Sequence, residues 1–170
     1  MPSVRLARSE DLIELAAVER SAASVFRDVG LAWLADGETM DPSLLTALCR
    51  DGTLWVVTDE IDEPVGFLAA HELDDAFYIA EVSIARFHQR QGLGARLITA
   101  AAEHARAAGL GAVTLTTYRD LPWNGPYYAK IGFAEVDPAK VGAGHVQKLQ
   151  AEVEAGHDPI RRCVMAKGLR

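Results

Sequence analysis

Apolar and polar positions recur with clear periods along most of the chain, and those periods predict an alternating α/β order of elements. Val4-Arg5-Leu6-Ala7 reads as a first strand. From Asp11 to Ala22 the positions Leu12, Leu15, Ala16 and Val18 fall on one helical face. Pro42 to Cys49 reads as a short helix that Asp41 is placed to cap. Thr53–Asp59 and Val65–Leu73 read as the arms of a hairpin around Asp62-Glu63-Pro64. A strand over 76–85, a helix over 92–108, a strand over 112–118 and a short helix over 124–131 follow. A strand from Phe133 and a last one over Arg161–Ala166 complete the order. Two stretches resist assignment. Residues 23–40, with Phe26 and Trp33, read as irregular. Residues 137–158 are charged and glycine-bearing, and Val146, Leu149 and Val153 are too sparse for more than a marginal helix.

Composition narrows this picture. A chain of 170 residues and 18.4 kDa can bury a proper core and is short for two domains, so one domain over 1–170 is expected. With no apolar run of about 18 residues and no basic-then-apolar leader, neither a membrane span nor secretion is expected, and the reading is cytoplasmic. Cys49 and Cys163 lie in unlike settings, which suits reduced core thiols. The five histidines never show a two-histidine helical spacing, so no metal is expected. A net charge of −7 and a pI near 5.2 argue against nucleic acid and mildly favour a cationic partner.

The chemistry concentrates at Gln89-Arg90-Gln91-Gly92-Leu93-Gly94, between the strand Tyr78–Ala85 and a helix that carries Leu93, Leu97, Ile98, Ala101 and Ala105 on one face until Gly109. A glycine turn feeding a helix N-terminus presents unpaired N–H groups with the positive end of the helix dipole behind them, a site suited to pyrophosphate. Three motifs compete here. A dinucleotide fingerprint fails because its third glycine position is Leu97, and no acidic residue ends a second strand at the right distance. A nucleoside-triphosphate loop fails because no G-x-x-x-x-G-K-[ST] string exists. The remaining pattern, (Gln/Arg)-x-x-Gly-x-Gly, is that of an acyl-coenzyme A loop, and residues 89–95 resemble the GNAT superfamily of N-acetyltransferases.

A second motif supports the resemblance. Tyr128-x-x-x-Gly132-Phe133 is similar to the family's short helix ending in Gly-Phe, and the local chemistry agrees. Asn124 can cap it, Pro126 suits a first turn, Gly132 can turn left-handed and Phe133 can bury behind it. The resemblance covers roughly residues 3–168. It implies an α/β GNAT fold, with a mixed, mostly antiparallel central sheet splayed at the acyl-CoA site and flanked by helices. It also implies acetyl-CoA as co-substrate, bound by Gln89, Arg90, Gln91, Gly92, Leu93, Gly94 and Ala95 and by the strand backbone of Val82, Ser83 and Ile84.

The same resemblance places Tyr128 at the coenzyme sulfur as general acid, with Tyr127 a competing candidate. Glu81 lies near the thioester as general base, directly or through water, and the Val82 N–H can meet the oxyanion. By alternation Glu81 shares a face with Ser83, and a carboxylate in an apolar strand needs a partner or a task; its site should lift its pKa. Asn124 is implied as a coenzyme contact, but most members place the asparagine seven residues before the tyrosine, where this chain has Leu121. The implied reaction moves an acetyl group to a primary amine of a small molecule or peptide by direct attack. Phe26, Trp33, Tyr118 and Trp123 are candidates to line the acceptor site, or core aromatics. A homodimer is compatible with all of this. A non-catalytic acyl-CoA sensor is the competing reading; it would need neither Glu81 nor Tyr128.

Overall fold

A computed structural model describes residues 1–170. Seven strands, β1 (Ser3–Leu6), β2 (Leu54–Thr58), β3 (Pro64–Leu73), β4 (Ala76–Ile84), β5 (Ala112–Tyr118), β6 (Ala134–Val136) and β7 (Arg162–Gly168), form one sheet in the order β1-β2-β3-β4-β5-β7-β6. The ladders β1/β2, β2/β3, β5/β7 and β6/β7 are antiparallel, and β4/β5 is parallel. The β4/β5 ladder consists of Phe77↔Val113 and Tyr78↔Thr114, although β4 runs on to Ile84 and β5 to Tyr118. This is the mixed, mostly antiparallel sheet expected. The helices are α1 (Leu12–Ala23), α2 (Ala32–Ala35), α3 (Pro42–Asp51), α4 (Leu93–Ala107), α5 (Gly125–Lys130), α6 (Pro138–Val141) and α7 (Ala143–Glu154). No helix is long and apolar enough to cross a membrane.

The chain divides into two compact units, residues 1–70 with 80–101 and residues 71–79 with 102–170. In the first, Leu15 and Val18 of α1 and Leu45 and Leu48 of α3 pack on Leu54, Val56, Phe67 and Ala69 of β2 and β3. Each leucine, valine or phenylalanine among them contributes about 1.5–3 kcal/mol when fully buried. Asp41 Oδ1 accepts from Ser43 N–H at 2.8 Å, so α3 is capped as its sequence predicts. Gly66 is forced by crowding: a Cβ there would stand 2.5 Å from the Ile84 side chain. Residues 23–40 are not irregular. A 3-10 turn over Ser24–Val29 and then α2 occupy most of them, closed by Gly30 in the left-handed region.

In the second unit β5 lies between β4 and β7 and has two distinct faces. Phe77 stacks on His104 of α4, with ring centroids 5.2 Å apart, and Val113 and Leu115 are buried. Thr114, Thr116 and Tyr118 alternate onto the other face, as period two requires. There the partners come from α7 and the segment after it: His145 for Thr114, Glu152 for Thr116 and His157 for Tyr118. The marginal helix expected within 137–158 is thus α6 followed by α7. Its sparse apolar face misled because polar side chains fasten it. Phe133 is buried but precedes β6 instead of opening it.

Asp74 explains how α7 is anchored. Asp74 and Asp75 both have positive φ, 52° and 64°, as a two-residue hairpin turn demands. The Asp74 carboxylate accepts from the Gly144 and His145 amides at 3.1 and 2.8 Å, serving α7 as an N-cap from outside the helix. It also meets His145 Nδ1 at 2.8 Å, while Nε2 meets Thr114 Oγ1 at 2.7 Å. A Cβ at Gly142 would lie 2.4 Å from this carboxylate, which is why glycine stands there.

Candidate functional site

The turn before α4 is built around two left-handed residues, Arg90 at φ 63° and Gly92 at φ 75°. Leu93, Leu97, Ile98, Ala101 and Ala105 are all buried, so the helix face is the one its periodicity predicts. That burial fixes the axis of α4 and thereby aims its N-terminus. The first amide of the segment to find a backbone carbonyl is Arg96, which donates to Gly92 O at 3.2 Å; those of residues 90–95 do not. No acidic side chain occupies the first turn to compete for them. Arg90, Gln91 and Gly92 are exposed. Six amides, a helix dipole and an exposed guanidinium make a place for a multiply charged anion.

Gln89 behaves differently from its neighbours. Its Nε2 donates to Ile84 O at 2.9 Å, so the side chain pins the turn to the end of β4. Ala85 N–H donates to Val65 O at 2.8 Å and fixes the same end from the other side. Arg86 is held by Ser21, Ser24 and Asp28. On β4 itself, Ser83 Oγ donates to Glu81 Oε1 at 2.9 Å, confirming that the two share a face. Ser83 is buried, while Glu81, Val82 and Ile84 are half-buried. In this unit the structure brings together Glu81, Val82, Ser83 and Ile84 on one strand end, with Gln89 to Ala95 attached through the Gln89 bond.

The tyrosine segment belongs to the other unit. Gly125 starts α5 so close to the end of β5 that a Cβ would lie 2.7 Å from Arg119 O. Pro126 occupies the first turn. The helix closes with a paired motif, Phe133 N–H to Tyr128 O at 3.0 Å and Gly132 N–H to Ala129 O at 3.3 Å, with Gly132 at φ 103°. Tyr128 is 8% exposed and packs edge-on against Tyr127 and Phe133, at 5.4 and 5.6 Å. Tyr127 is half-buried. One expectation needs correction: Asn124 stands at the cap position, yet its side chain makes no capping hydrogen bond. Its Oδ1 is instead buried without a hydrogen-bond partner. Its backbone, at φ −113° and ψ −113°, is not the extended conformation from which a capping side chain reaches the helix amides.

The remaining candidates sort by environment. Burial pushes the Cys163 thiol up to about 11, and Cys49 Sγ lies 3.4 Å from Ala7 O; both are free. No group of three or more His, Cys, Asp or Glu side chains is arranged to hold a metal. Trp33 is 44% exposed and Phe26 half-buried. Tyr118 is buried, with its hydroxyl 2.7 Å from His157 Nδ1 and its ring beneath Arg161 and Arg162, so it is a packed residue and not an open wall. Burial and Arg162 lower the His157 pKa, leaving a neutral imidazole at neutral pH. The Asp74–His145–Thr114 chain is not legible in the sequence because its members lie 71 and 31 residues apart; the closely spaced Gly142 and Gly144, which leave room for the Asp74 side chain, are its one local sign.

A family model described as the acetyltransferase (GNAT) family matches residues 19–133. Among solved structures, the PaiA N-acetyltransferase from Thermoplasma acidophilum, in complex with coenzyme A, is 14% identical with a TM-score of 0.73, covering 99% of each chain. Rv2747 from Mycobacterium tuberculosis, in complex with CoA, is 19% identical with a TM-score of 0.73, again covering 99% of each chain. N-acetylglutamate synthase from Neisseria gonorrhoeae, in complex with coenzyme A, is 17% identical with a TM-score of 0.72. All of the present chain is covered there, but it spans only 35% of that protein.

Proposed function

Because the chain belongs to the acetyltransferase (GNAT) family, we propose that residues 1–170 act as a single domain transferring acetyl from acetyl-CoA to a primary amine. The observation that carries this reading is the turn at 90–95, whose amides find no backbone acceptor at the head of α4. They suit the pyrophosphate, with the exposed Arg90 adding charge. The Val82–Ile84 backbone is assigned to the pantetheine arm, and the short β4/β5 ladder supports that assignment. Asn124, with its buried, unpartnered Oδ1, is assigned as a coenzyme contact.

Acetyl-CoA supplies the activated acetyl thioester. The chain's own residues do the rest. Glu81 takes the proton from the acceptor ammonium as general base, oriented by the Ser83 hydroxyl. The amine nitrogen then bonds to the acetyl carbon, and the Val82 N–H meets the charge that develops on the oxygen. As the carbon–sulfur bond breaks, the Tyr128 hydroxyl gives its proton to the sulfur, and the second proton that the nitrogen sheds on becoming an amide restores the hydroxyl. The high pKa of Cys163 leaves little thiolate for a covalent detour. Acetyl-CoA-dependent thiol release on a panel of primary amines tests the reading. Release with at least one amine is expected, and none with any amine would overturn it.

A further inference from the structure

Phe87 is 93% exposed, and between Tyr78 and Tyr118 it is the only phenylalanine, tyrosine or tryptophan. A single apolar side chain in water is ordinary by itself. What distinguishes Phe87 is the backbone that carries it. It is the middle residue of a 3-10 turn over Arg86–His88 that is tied down at both ends. Arg86 N–H donates to Ser21 Oγ at 2.9 Å, and the Arg86 guanidinium is held by Ser24 and Asp28. Ala85 N–H donates to Val65 O and His88 N–H to Ala85 O, both at 2.8 Å. Gln89 Nε2 donates to Ile84 O at 2.9 Å. The residues on either side are thus engaged, and the ring between them is left in water.

The place of this ring gives it a use. Three peptide units separate Phe87 from Arg90, so their Cα atoms lie at most about 11 Å apart. Arg90 opens the turn whose amides lack backbone acceptors and are assigned to the pyrophosphate. In coenzyme A that pyrophosphate joins the pantetheine arm to an adenosine, so the purine is one ribose away from the phosphates. Adenine is flat and uncharged at neutral pH, and backbone amides give its faces nothing to rest on. An exposed aromatic ring does. Among the exposed side chains near the turn, Arg86 is occupied by Ser24 and Asp28 and Arg90 is assigned to the phosphates, which leaves Phe87 as the flat surface.

We propose that Phe87 stacks on the adenine of acetyl-CoA. The inference rests on the coenzyme site read at 89–95 and extends it from the phosphates to the base. Stacking on a ring held by a stiff turn favours the whole coenzyme over its adenine-free arm. It leaves the chemistry at the thioester untouched.

The test is calorimetric titration of wild type, Phe87→Ala and Phe87→Trp with acetyl-CoA and with acetyl-4′-phosphopantetheine, which lacks the adenosine. The ring lies in water, so the melting temperature should hold in both variants. Alanine should weaken acetyl-CoA binding roughly tenfold, within the range of one base–aromatic stack, and change acetyl-4′-phosphopantetheine binding less than about twofold. Tryptophan, with a larger face, should restore wild-type affinity or exceed it. In the wild-type complex, NMR should show Overhauser contacts between adenine H2 or H8 and the Phe87 ring. Wild-type acetyl-CoA affinity in folded Phe87→Ala, an equal loss with both ligands, or absence of those contacts overturns the stacking. The coenzyme-site reading fails differently, since wild type would then bind neither ligand.

Discussion

The turn at 89–95 and the knot around His145 are both polar, and they are opposites. At the turn, amides have no backbone acceptor, on a segment stiffened by Gln89 and by the burial of α4 behind it. In the knot, Asp74, His145 and Thr114 satisfy one another, with His145 0% exposed, Thr114 buried beneath it and Asp74 at the rim. An Asp–His–Thr chain has the outline of a nucleophilic triad, yet no substrate can reach a hydroxyl buried this deeply. Polar groups that satisfy each other inside hold the fold together. Polar groups left unsatisfied on a rigid surface are where a ligand is expected.

Breaking the knot should produce the largest effect. His145→Ala leaves the buried Thr114 hydroxyl without its partner, takes one of three hydrogen bonds from Asp74 and opens a cavity, so a loss of about 3 kcal/mol is expected in denaturant unfolding. The knot is also sensitive to acid. The His145 hydrogen bond, followed by the two α7 amides, holds the Asp74 carboxyl below the usual carboxylate range. A folded pKa below the unfolded one adds stability that is complete above pH ~4 and is lost as pH falls through the folded value. Thermal melts should therefore steepen toward low pH in wild type and flatten in Asp74→Asn, which has no charge to lose.

The turn and its strand should respond in function and not in stability. Glu81→Gln is expected to lower turnover by roughly a hundredfold at neutral pH, the range of a lost general base, while acetyl-CoA affinity changes little. A variant with wild-type turnover and pH profile would return Glu81 to a structural role beside Ser83. Gly94→Asp sets a negative charge among the amides that lack backbone acceptors, and acetyl-CoA affinity should fall tenfold or more, about 1.4 kcal/mol. Unchanged calorimetric affinity in the folded variant would remove the turn from the site and erase the contrast with the knot.

The two regions also differ in how far the sequence revealed them, for the same physical reason. The turn is local: a strand, two glycines and the stripe Leu93–Leu97–Ile98–Ala101–Ala105 fall within one continuous stretch, and short-range periodicity carries them. The knot joins a hairpin turn, a strand and a helix far apart in sequence, and α7 lacks a strong apolar face because its fastenings are polar. Residues 23–40 read as irregular for a related reason, since the short elements within them are stabilised by neighbours and not by a long repeat. Asn124 shows the limit of residue preference. Its type and position suit a cap, but its backbone at φ −113° and ψ −113° does not, and no capping bond forms.

Gln89 allows the finest test, since it belongs to the turn yet is bonded like a member of the knot. By pattern it is a coenzyme residue; by geometry its amide is engaged with Ile84 O. If it acts as a pin, Gln89→Ala loses one hydrogen bond worth about 1 kcal/mol, and the turn loosens without losing its amides. Acetyl-CoA affinity should then fall about fivefold, while hydrogen exchange at residues 90–95 speeds up even without coenzyme. Gln89→Glu separates the two roles further. A carboxylate cannot donate to Ile84 O and adds negative charge beside the turn, so its affinity loss should exceed that of alanine. Were alanine to weaken coenzyme binding with exchange in the free protein unchanged, the side chain would be touching the coenzyme directly, and the pin would be incidental.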